Sequence, residues 1–548
     1  MKKIFAFTKS YLHLHKWPLA LYITITIVVS TSALISPYII GDFIDQLMTA
    51  GSMTFIYRYF ALFAAINLTT LLLGYISGQL YIHLQTTMGF ALNRDFIKKL
   101  QYAPINFTNK QDTAYLNQRI NNDTNALIIF SVGIIQSVLI NMVIIGVTSA
   151  IMFTFHPLLA GVLIGVAVVY FTFYALYKKV LYKASHTFQE SQSSFFSKLN
   201  EQLFNIRFIK LHSLFSHFIG RLDNSFGGLL RDALTYQRAR YIFGGLDKIV
   251  MIVAQMILLL FGGREIIAGR LTIGRFIIIS SYFNMMLGSI RYFFGLGQTV
   301  QQNMVSYNRL QEFAAVAPEP NGASQLDGAQ TIELANVSFT YGENAVLKNI
   351  SQKFSKGHIY VLLGPNGAGK STLADILMGL QNGNYSGDVL YNGVDMGEID
   401  MYTLRNTHFG ISEQEPILVA DTLAYNLSLG QADFAEIDRA ELDKFIGILG
   451  LGAYIQTLPN QFEATINESA ANVSGGEKQK ISILRALIKN PDVLVLDEPT
   501  SALDMGSKVA LRGYLDEIKA DKIVIVVTHD KDFVDYETDV LILLDKPC

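Results

Sequence analysis

Cysteine is all but missing: the chain has one, Cys548, at its last position. That excludes an intrachain disulfide framework and a thiolate metal cluster. A lone terminal thiol with no neighbouring base reads as incidental, because a reactive thiol needs an activating environment. Charge is scarce too. Only 16% of the 548 residues are charged and the formal net charge is −2, so no broad basic field is there to hold nucleic acid. The N-terminal MKKIFAFTKSYLHLHKW runs straight into an apolar stretch without an A-x-A-like cleavage site and is not Arg- and Ser-rich. Neither a cleavable signal nor a transit peptide is expected.

What is plentiful is apolar residue, 51% of the chain. Its distribution is uneven. Runs of spanning length occur only before about residue 300, and the remainder reads as a water-facing α/β chain. At this length two or more units are expected. A helix needs roughly 20 mostly apolar residues to cross the hydrocarbon core, and six segments qualify, at about 18–40, 57–83, 126–153, 158–178, 246–267 and 273–298.

Basic residues orient these spans. Lys2, Lys3, Lys9 and Lys16 precede the first, which puts the N-terminus in the cytoplasm. Arg94, Lys98, Lys99, Lys110 and Arg119 follow the second, and Lys178, Lys179, Lys183, Lys198, Arg207 and Lys210 follow the fourth. The stretch 41–54 instead holds Asp42 and Asp45, and the turn at His156-Pro157 is bare. Arg264, Arg270 and Arg275 beside the fifth-to-sixth turn weaken the bias without reversing it. The two inner connections run to about 40 and about 65 residues with few helix breakers, so spans two to five are expected to continue into the cytoplasm as levers.

The sixth span carries a polar stripe. Asn284, Gly288, Arg291, Gly295, Gln298 and Gln302 recur at spacings of three and four, on one side of a helix. An arginine so deep belongs against a bundle interior or a wet cavity. Two readings of Arg291 stay open, a structural ion pair and a cargo contact; Asn284 and Gln298 share its face. Asp247, Met251, Gln255 and Gly262 on the fifth span, and Asn67, Thr70, Gly74, Ser77 and Tyr81 on the second, read as tight helix packing.

Residues 316–330, VAPEPNGASQLDGAQ, read as a linker between a membrane domain (1–315) and an ATPase domain (331–548). In the latter, an apolar strand, a Gly-rich loop and a helix follow in IYVLLGPNGAGKSTLADILMGL. The loop matches G-x-x-x-x-G-K-[ST] through Gly364, Pro365, Asn366, Gly367, Ala368, Gly369, Lys370, Ser371 and Thr372 follows it. Its glycines let backbone N–H groups close around phosphate oxygens. Lys370 is expected to reach the β- and γ-phosphates of ATP and the Ser371 hydroxyl to ligate Mg²⁺. In DVLVLDEPTSALD, the run Val493–Leu496 ends in two acids. Asp497 fits the Mg²⁺ position and Glu498 the base that takes a proton from the attacking water. The strand KIVIVVTHD delivers His529 to the same sheet edge, to contact the γ-phosphate or orient that water.

With those elements placed, the chain resembles an ABC transporter, specifically an exporter-type half-transporter, over essentially its whole length. The specific mark is VSGGEKQKISILRAL, Val473 to Leu487, which is similar to the ABC signature that other P-loop ATPases lack. GRLTIGRFI before the sixth span and EQLFNIRFIK from Glu201 are exporter-like as well. The resemblance implies a six-span α-helical bundle with long intracellular helices fused to an α/β P-loop ATPase. It implies that Ser474, Gly475, Gly476 and Glu477 touch ATP held by the opposite subunit, and that Tyr341 stacks on adenine. Gln414 would link Mg²⁺ to the membrane half, Asp504 would belong to the dimer-contact loop, and Glu468 would sit near the intracellular loops. Two departures stand out. Glu477 occupies a common glutamine position, and only 19 residues follow His529, so a late strand or helix is expected to be missing or abbreviated.

The function expected from this is ATP-driven export across a bacterial cytoplasmic membrane by a homodimer, with ATP and Mg²⁺ shared between copies. The cargo expected is a small peptide such as a bacteriocin; the alternative is an amphipathic drug or a membrane lipid, exported or flipped. No peptidase domain is expected before the first span. A soluble ATPase acting on nucleic acid or ribosomes conflicts with six spans. An importer conflicts with the fusion of both halves in one chain.

Overall fold

A computed structural model describes residues 1–48, 53–109, 116–117, 119–429, 434–535 and 537–544, apart from a few side chains including those of 247 and 298. Lys110, Cys548 and the side chains of Asp247 and Gln298 therefore lie outside the described residues. The chain forms two compact units, one from residues 1–98 and 113–315, the other from 99–112 and 316–548.

Up to Ala314 the described elements are all helices: α1 (Lys2–Leu14), α2 (Lys16–Leu47), α3 (Met53–Gln101, whose last residues count with the second unit), α4 (Ile105–Thr108, wholly of the second unit), α5 (Thr124–Phe155, entered through a π-helical turn at Arg119–Asp123), α6 (Pro157–Phe204), α7 (Ile206–Leu211), α8 (Phe215–Ile267) and α9 (Ile273–Ala314). Five of these are long and apolar enough to span a membrane, and α6, bent by 40° between Phe173 and Ala175, supplies a sixth as a bent pair. The 53 residues of α8 extend for roughly 80 Å at 1.5 Å per residue, far beyond a hydrocarbon core of about 30 Å.

The core of this unit gathers on α9, where Tyr282, Phe283, Met286 and Leu287 pack with Leu34, Met152, Ala254 and Leu258. The Tyr282 hydroxyl donates to the Leu34 carbonyl at 2.7 Å. Nearer its start, α9 approaches α2 backbone to backbone. A Cβ at Gly274 would lie 1.9 Å from the Gly41 carbonyl oxygen, so only glycine fits there. Asp45 then accepts from the Gly274 N–H at 2.6 Å and from the Thr272 hydroxyl, fastening the N-terminus of α9.

The second unit has two sheets. β1 (Thr331–Tyr341), β2 (Asn344–Ser355), β4 (Tyr385–Tyr391) and β5 (Val394–Asp395) form an antiparallel sheet of order β2-β1-β4-β5. β3 (Ile359–Leu363), β6 (Phe409–Ser412), β7 (Val493–Asp497), β8 (Ile523–Val527) and β9 (Val540–Leu543) form a parallel sheet of order β6-β7-β8-β3-β9. Its strands are continuous apolar runs because helices cover both faces. On one face α10 (Lys370–Leu377) and the antiparallel sheet close a core around Phe339, Phe354 and Tyr391. Around the other, Phe445, Leu484 and Leu515 pack from α13 (Arg439–Leu449), α15 (Gly475–Ile488) and α16 (Met505–Ile518). The shorter α11 (Met401–His408), α12 (Leu423–Ser428) and α14 (Gly452–Thr457) complete the unit.

The abbreviated end expected from the sequence does hold a late strand. β9 pairs parallel with β3, Leu541 opposite Val361, since a sheet edge can be closed in four residues. Residues 316–330 carry no helix and are laid along this unit. The Glu319 N–H donates to the Tyr102 carbonyl at 2.7 Å, and Glu319 pairs with Arg405 at 2.9 Å. Asn106 on α4 exchanges hydrogen bonds with Gln381, the shorter at 2.7 Å.

Candidate functional site

The apolar strand β3 ends at Leu363 and the chain turns at once through Gly364–Gly369 into α10. Gly364 and Gly369 have φ of +154° and +93°, and a Cβ would lie 2.3 Å from the Leu544 carbonyl at the first and 2.7 Å from Leu347 at the second. Any side chain would force this loop open. Lys370 begins α10 and its ammonium donates to the Gly364 carbonyl at 2.8 Å, so the cation already lies over the cradle. Thr372 is buried beneath.

Asp497 ends β7 beside β3's loop, hydrogen bonded to the Ser371 hydroxyl. Burial, then the charge of Glu498, push its carboxyl up to about 6, against the pull of Lys370 and Ser371. Asp375 on α10 is likewise raised to about 6, by burial and by Asp497 and Glu413. These desolvated oxygens form a field that a hard cation would relieve. Among the described residues no cluster of His, Cys, Asp and Glu could hold a metal alone. That suits Mg²⁺, which takes one or two protein oxygens and completes its shell from phosphates and water. Asp497 and Ser371 fit it.

Glu498 is 7% exposed and holds φ +49°, a costly conformation for a non-glycine residue and a common one where function needs it. Its hydrogen bonds keep it there. Its N–H donates to the Val527 carbonyl at 2.8 Å, its carbonyl accepts from the Gln479 side chain at 2.5 Å and from the Ser501 N–H at 3.3 Å, its Oε1 meets His529 Nδ1 at 2.8 Å, and its Oε2 accepts from the Thr528 hydroxyl at 3.4 Å. His529 itself stands largely in solvent, 78% exposed. Glu498, His529, Asp497, Ser371 and Lys370 therefore converge at the carboxyl ends of β3, β7 and β8.

The other sequence-selected residues lie around this edge. Tyr341 ends β1, 44% exposed, with its ring edge-on to Phe339 at 4.8 Å. Gln414 is exposed just beyond β6. Ser474 caps α15, accepting from the Glu477 N–H at 3.3 Å, with Gly475 exposed and Gly476 and Glu477 half-buried in the first turn. Asp504 caps α16 through Ser507 N at 2.8 Å, a hydrogen bond that holds its carboxyl below the usual range. Glu468 is exposed.

Gln479 was not singled out by motif reasoning. It is 4% exposed, and its amide oxygen accepts from the Ser501 hydroxyl at 2.5 Å while its nitrogen holds Glu498. One polar residue amid buried positions of an amphipathic helix was the available signal. In the membrane unit, Asn284 is half-buried with its side-chain oxygen lacking a hydrogen-bond partner among the described residues, and Arg291 is exposed. The packing reading of the second span fails at Gly74, where a Cβ would meet nothing within 4 Å, and holds at Ser77, buried and hydrogen bonded to the Thr26 hydroxyl at 2.8 Å, and at Tyr81, whose ring lies 5.8 Å from that of Tyr22; all three also line a cavity of about 460 Å³ with Gln136. Gly262 does pack closely, 2.5 Å from Phe276 for a Cβ.

Residues 19–290 match the family model described as the ABC transporter transmembrane region, and residues 347–501 match the model of the ABC transporter. ABC transporter B family member 1 of Dictyostelium discoideum is 27% identical over 91% of this chain, which spans 55% of that protein's length. "Putative multidrug export ATP-binding/permease protein YgaD" of Bacillus subtilis is 27% identical over 79% of this chain and 75% of its own length. The ATP-dependent lipid A-core flippase of Haemophilus influenzae is 27% identical over 82% and 77%. A solved bacterial Atm1-family ABC exporter with ATP bound shares the fold, with a TM-score of 0.83 at 18% identity over 97% of this chain and 95% of that one. Two matched regions, the phosphate loop and the signature-like helix agree: the chain belongs to the ABC transporter family, as an exporter-type half-transporter.

Proposed function

We propose that this chain hydrolyses ATP to export an amphipathic cargo across a bacterial cytoplasmic membrane, working as a homodimer. The observation that carries the reading is Glu498, buried and held at φ +49° against His529, beside Asp497, Ser371 and Lys370. In this reading the loop Gly364–Gly369 and Lys370 bind the phosphates and Tyr341 faces the adenine. Asp497 and Ser371, with Gln414, would hold Mg²⁺, which would neutralise phosphate charge. Glu498 accepts the proton of the attacking water, and His529 holds the Glu498 carboxylate and offers its exposed ring to the γ-phosphate.

A second copy enters because each chain has one phosphate loop and one signature-like helix. The exposed Ser474 and Gly475 open α15 toward solvent, where the helix N-terminus favours an anion brought by the partner. Asp504 shapes the loop beside it. Phe204, Ile206 and Leu211 around α7 are strongly exposed, an apolar tip that a partner would cover.

For the cargo, the similarity to proteins named for multidrug export and lipid A-core flipping favours a drug or lipid; a small peptide has no such support. Arg291 on the face of Asn284 and Gln298 suits a carboxylate or phosphate group on that cargo.

The test uses the full chain in lipid nanodiscs. Glu498→Gln is expected to bind ATP, dimerise and lose hydrolysis by about 10²-fold or more. Wild-type turnover in that variant contradicts the assigned base. In inverted vesicles, ATP-dependent accumulation of a fluorescent lipid or dye is expected, and its absence in a protein that hydrolyses ATP contradicts export.

A further inference from the structure

The cavity bounded by α2, α3 and α5, about 460 Å³ in volume, is polar without being charged. Tyr22, Ser77, Tyr81, Gln136 and Ser137 supply its polar groups, and none of its described lining residues carries a charge. The volume falls within the roughly 300–1,000 Å³ of small-molecule sites. Three glycines keep it open. A Cβ at Gly74, Gly78 or Gly133 would meet nothing within 4 Å, so close packing inside the chain is not what calls for glycine there.

Its hydrogen-bond donors are not all spent. The Tyr22 hydroxyl donates to Gln136 Oε1. Thr26 donates to the Tyr22 carbonyl at 2.7 Å, so Ser77 supplies the proton of its 2.8 Å bond with Thr26. Ser137 is hydrogen bonded to the Tyr292 side chain. The Gln136 amide N–H₂ and the Tyr81 hydroxyl are left, without a hydrogen-bond partner among the described residues. Both flank Tyr22, whose hydroxyl meets Gln136 and whose ring lies 5.8 Å from that of Tyr81.

Depth and charge decide what can meet these donors. Lys16 and the exposed Trp17 mark one membrane interface. At 1.5 Å per residue along α2, Tyr22 lies about 9 Å from Lys16 and Val29 about 20 Å, in a hydrocarbon core about 30 Å thick. The cavity thus lies in the leaflet that Lys16 borders, where an unmet donor costs free energy. A phosphate or an ammonium group would find no countercharge in these walls. An acyl chain has no acceptor to give. The ester carbonyls of a glycerolipid are uncharged acceptors, and they lie at the border between headgroup and hydrocarbon.

We propose that this cavity holds the ester-linked glycerol region of a phospholipid from that leaflet, with Gln136 and Tyr81 donating to its carbonyl oxygens. A helix of a second copy is the competing occupant, since Gly74 and Gly78 stand four residues apart on α3. The carbonyls of such a helix are bonded within it and would leave both donors unmet. The inference does not depend on the export reading, because any chain with this membrane fold would carry the site.

The test reads the chemistry of the linkage. The full chain is reconstituted in nanodiscs holding equal amounts of a diacyl phosphatidylethanolamine and its dialkyl ether counterpart of matched chain length. Native mass spectrometry of the released protein then counts the retained lipids, which differ in mass and in the two carbonyls. The ester lipid is expected to be retained about fivefold or more over the ether, as two neutral hydrogen bonds imply. Tyr81→Phe removes one hydroxyl and keeps the ring, and is expected to cut that ratio about twofold or more; Gln136→Leu is expected to do the same. Gly74→Leu, which fills the cavity, is expected to bring the ratio to about one.

A wild-type ratio near one overturns the site. So does the wild-type ratio persisting in both Tyr81→Phe and Gln136→Leu, which would place the ester preference elsewhere on the protein. Dissociation of the dimer by Gly74→Leu with the ratio unchanged would assign the cavity to a second copy and overturn the lipid reading. Loss of transport in a protein that keeps its ester preference would sink the export reading and leave this site standing.

Discussion

Gln479→Leu isolates the link between the signature-like helix and the residue proposed as base. Leucine fills nearly the same volume in a position only 4% exposed, so little packing is lost. Two hydrogen bonds disappear, to the Glu498 carbonyl and from the Ser501 hydroxyl. Ser501 is exposed and recovers a partner from water, at a net loss of about 1 kcal/mol. The Glu498 carbonyl keeps the Ser501 N–H at 3.3 Å, so losing the Gln479 amide costs it about 1 kcal/mol more. Destabilisation of about 2 kcal/mol corresponds to a fall of roughly 4–8 °C in the unfolding midpoint of a unit of this size. Turnover should suffer further, because Glu498 at φ +49° relaxes when a restraint is released, and a shift of about 1 Å costs about 10²-fold. The assay is steady-state ATP hydrolysis by the full chain in nanodiscs, with thermal unfolding of the same sample. The expected result is kcat down about 10–100-fold with the KM for ATP within about threefold. A lower midpoint with wild-type kcat would show that Gln479 only holds the fold together, and the positioning argument would fail.

Tyr341→Ala should raise the KM for ATP about fivefold or more while changing kcat by less than twofold, since an aromatic face on a base is worth about 1–3 kcal/mol; equal effects on both, in the same hydrolysis assay, argue against adenine stacking. Asp375→Asn tests the acid field. The Asp375 carboxyl is raised from 3.8 to about 6 in the folded chain, so the stability of its neutral form is fully present below about pH 4 and lost as pH rises through about 6. The variant should therefore unfold later at pH 7.5 by about 2 kcal/mol, with the gain fading by about pH 4. A gain of equal size at both pH values, measured by thermal unfolding without nucleotide, removes the electrostatic cause.

The phosphate loop was fully legible because an apolar strand, glycines at fixed offsets and a helix are all local features. Asp497, Glu498 and His529 were legible as polar residues ending apolar strands, and the structure brings them to one edge. Gln479 was not, because its partners are Glu498 and Ser501, far along the chain. Gly74 misled, since small residues on an apolar helix serve close packing and cavity walls equally. The late strand β9 escaped because four residues carry too little pattern.

The ATPase unit is not one stretch of chain. Residues 99–112, with the α4 clasp of Asn106 on Gln381, are threaded into it from far upstream. A gene fragment beginning after the last membrane helix would lack a piece of its own wall, leaving Gln381, 1% exposed in the whole molecule, with an amide whose mate is gone.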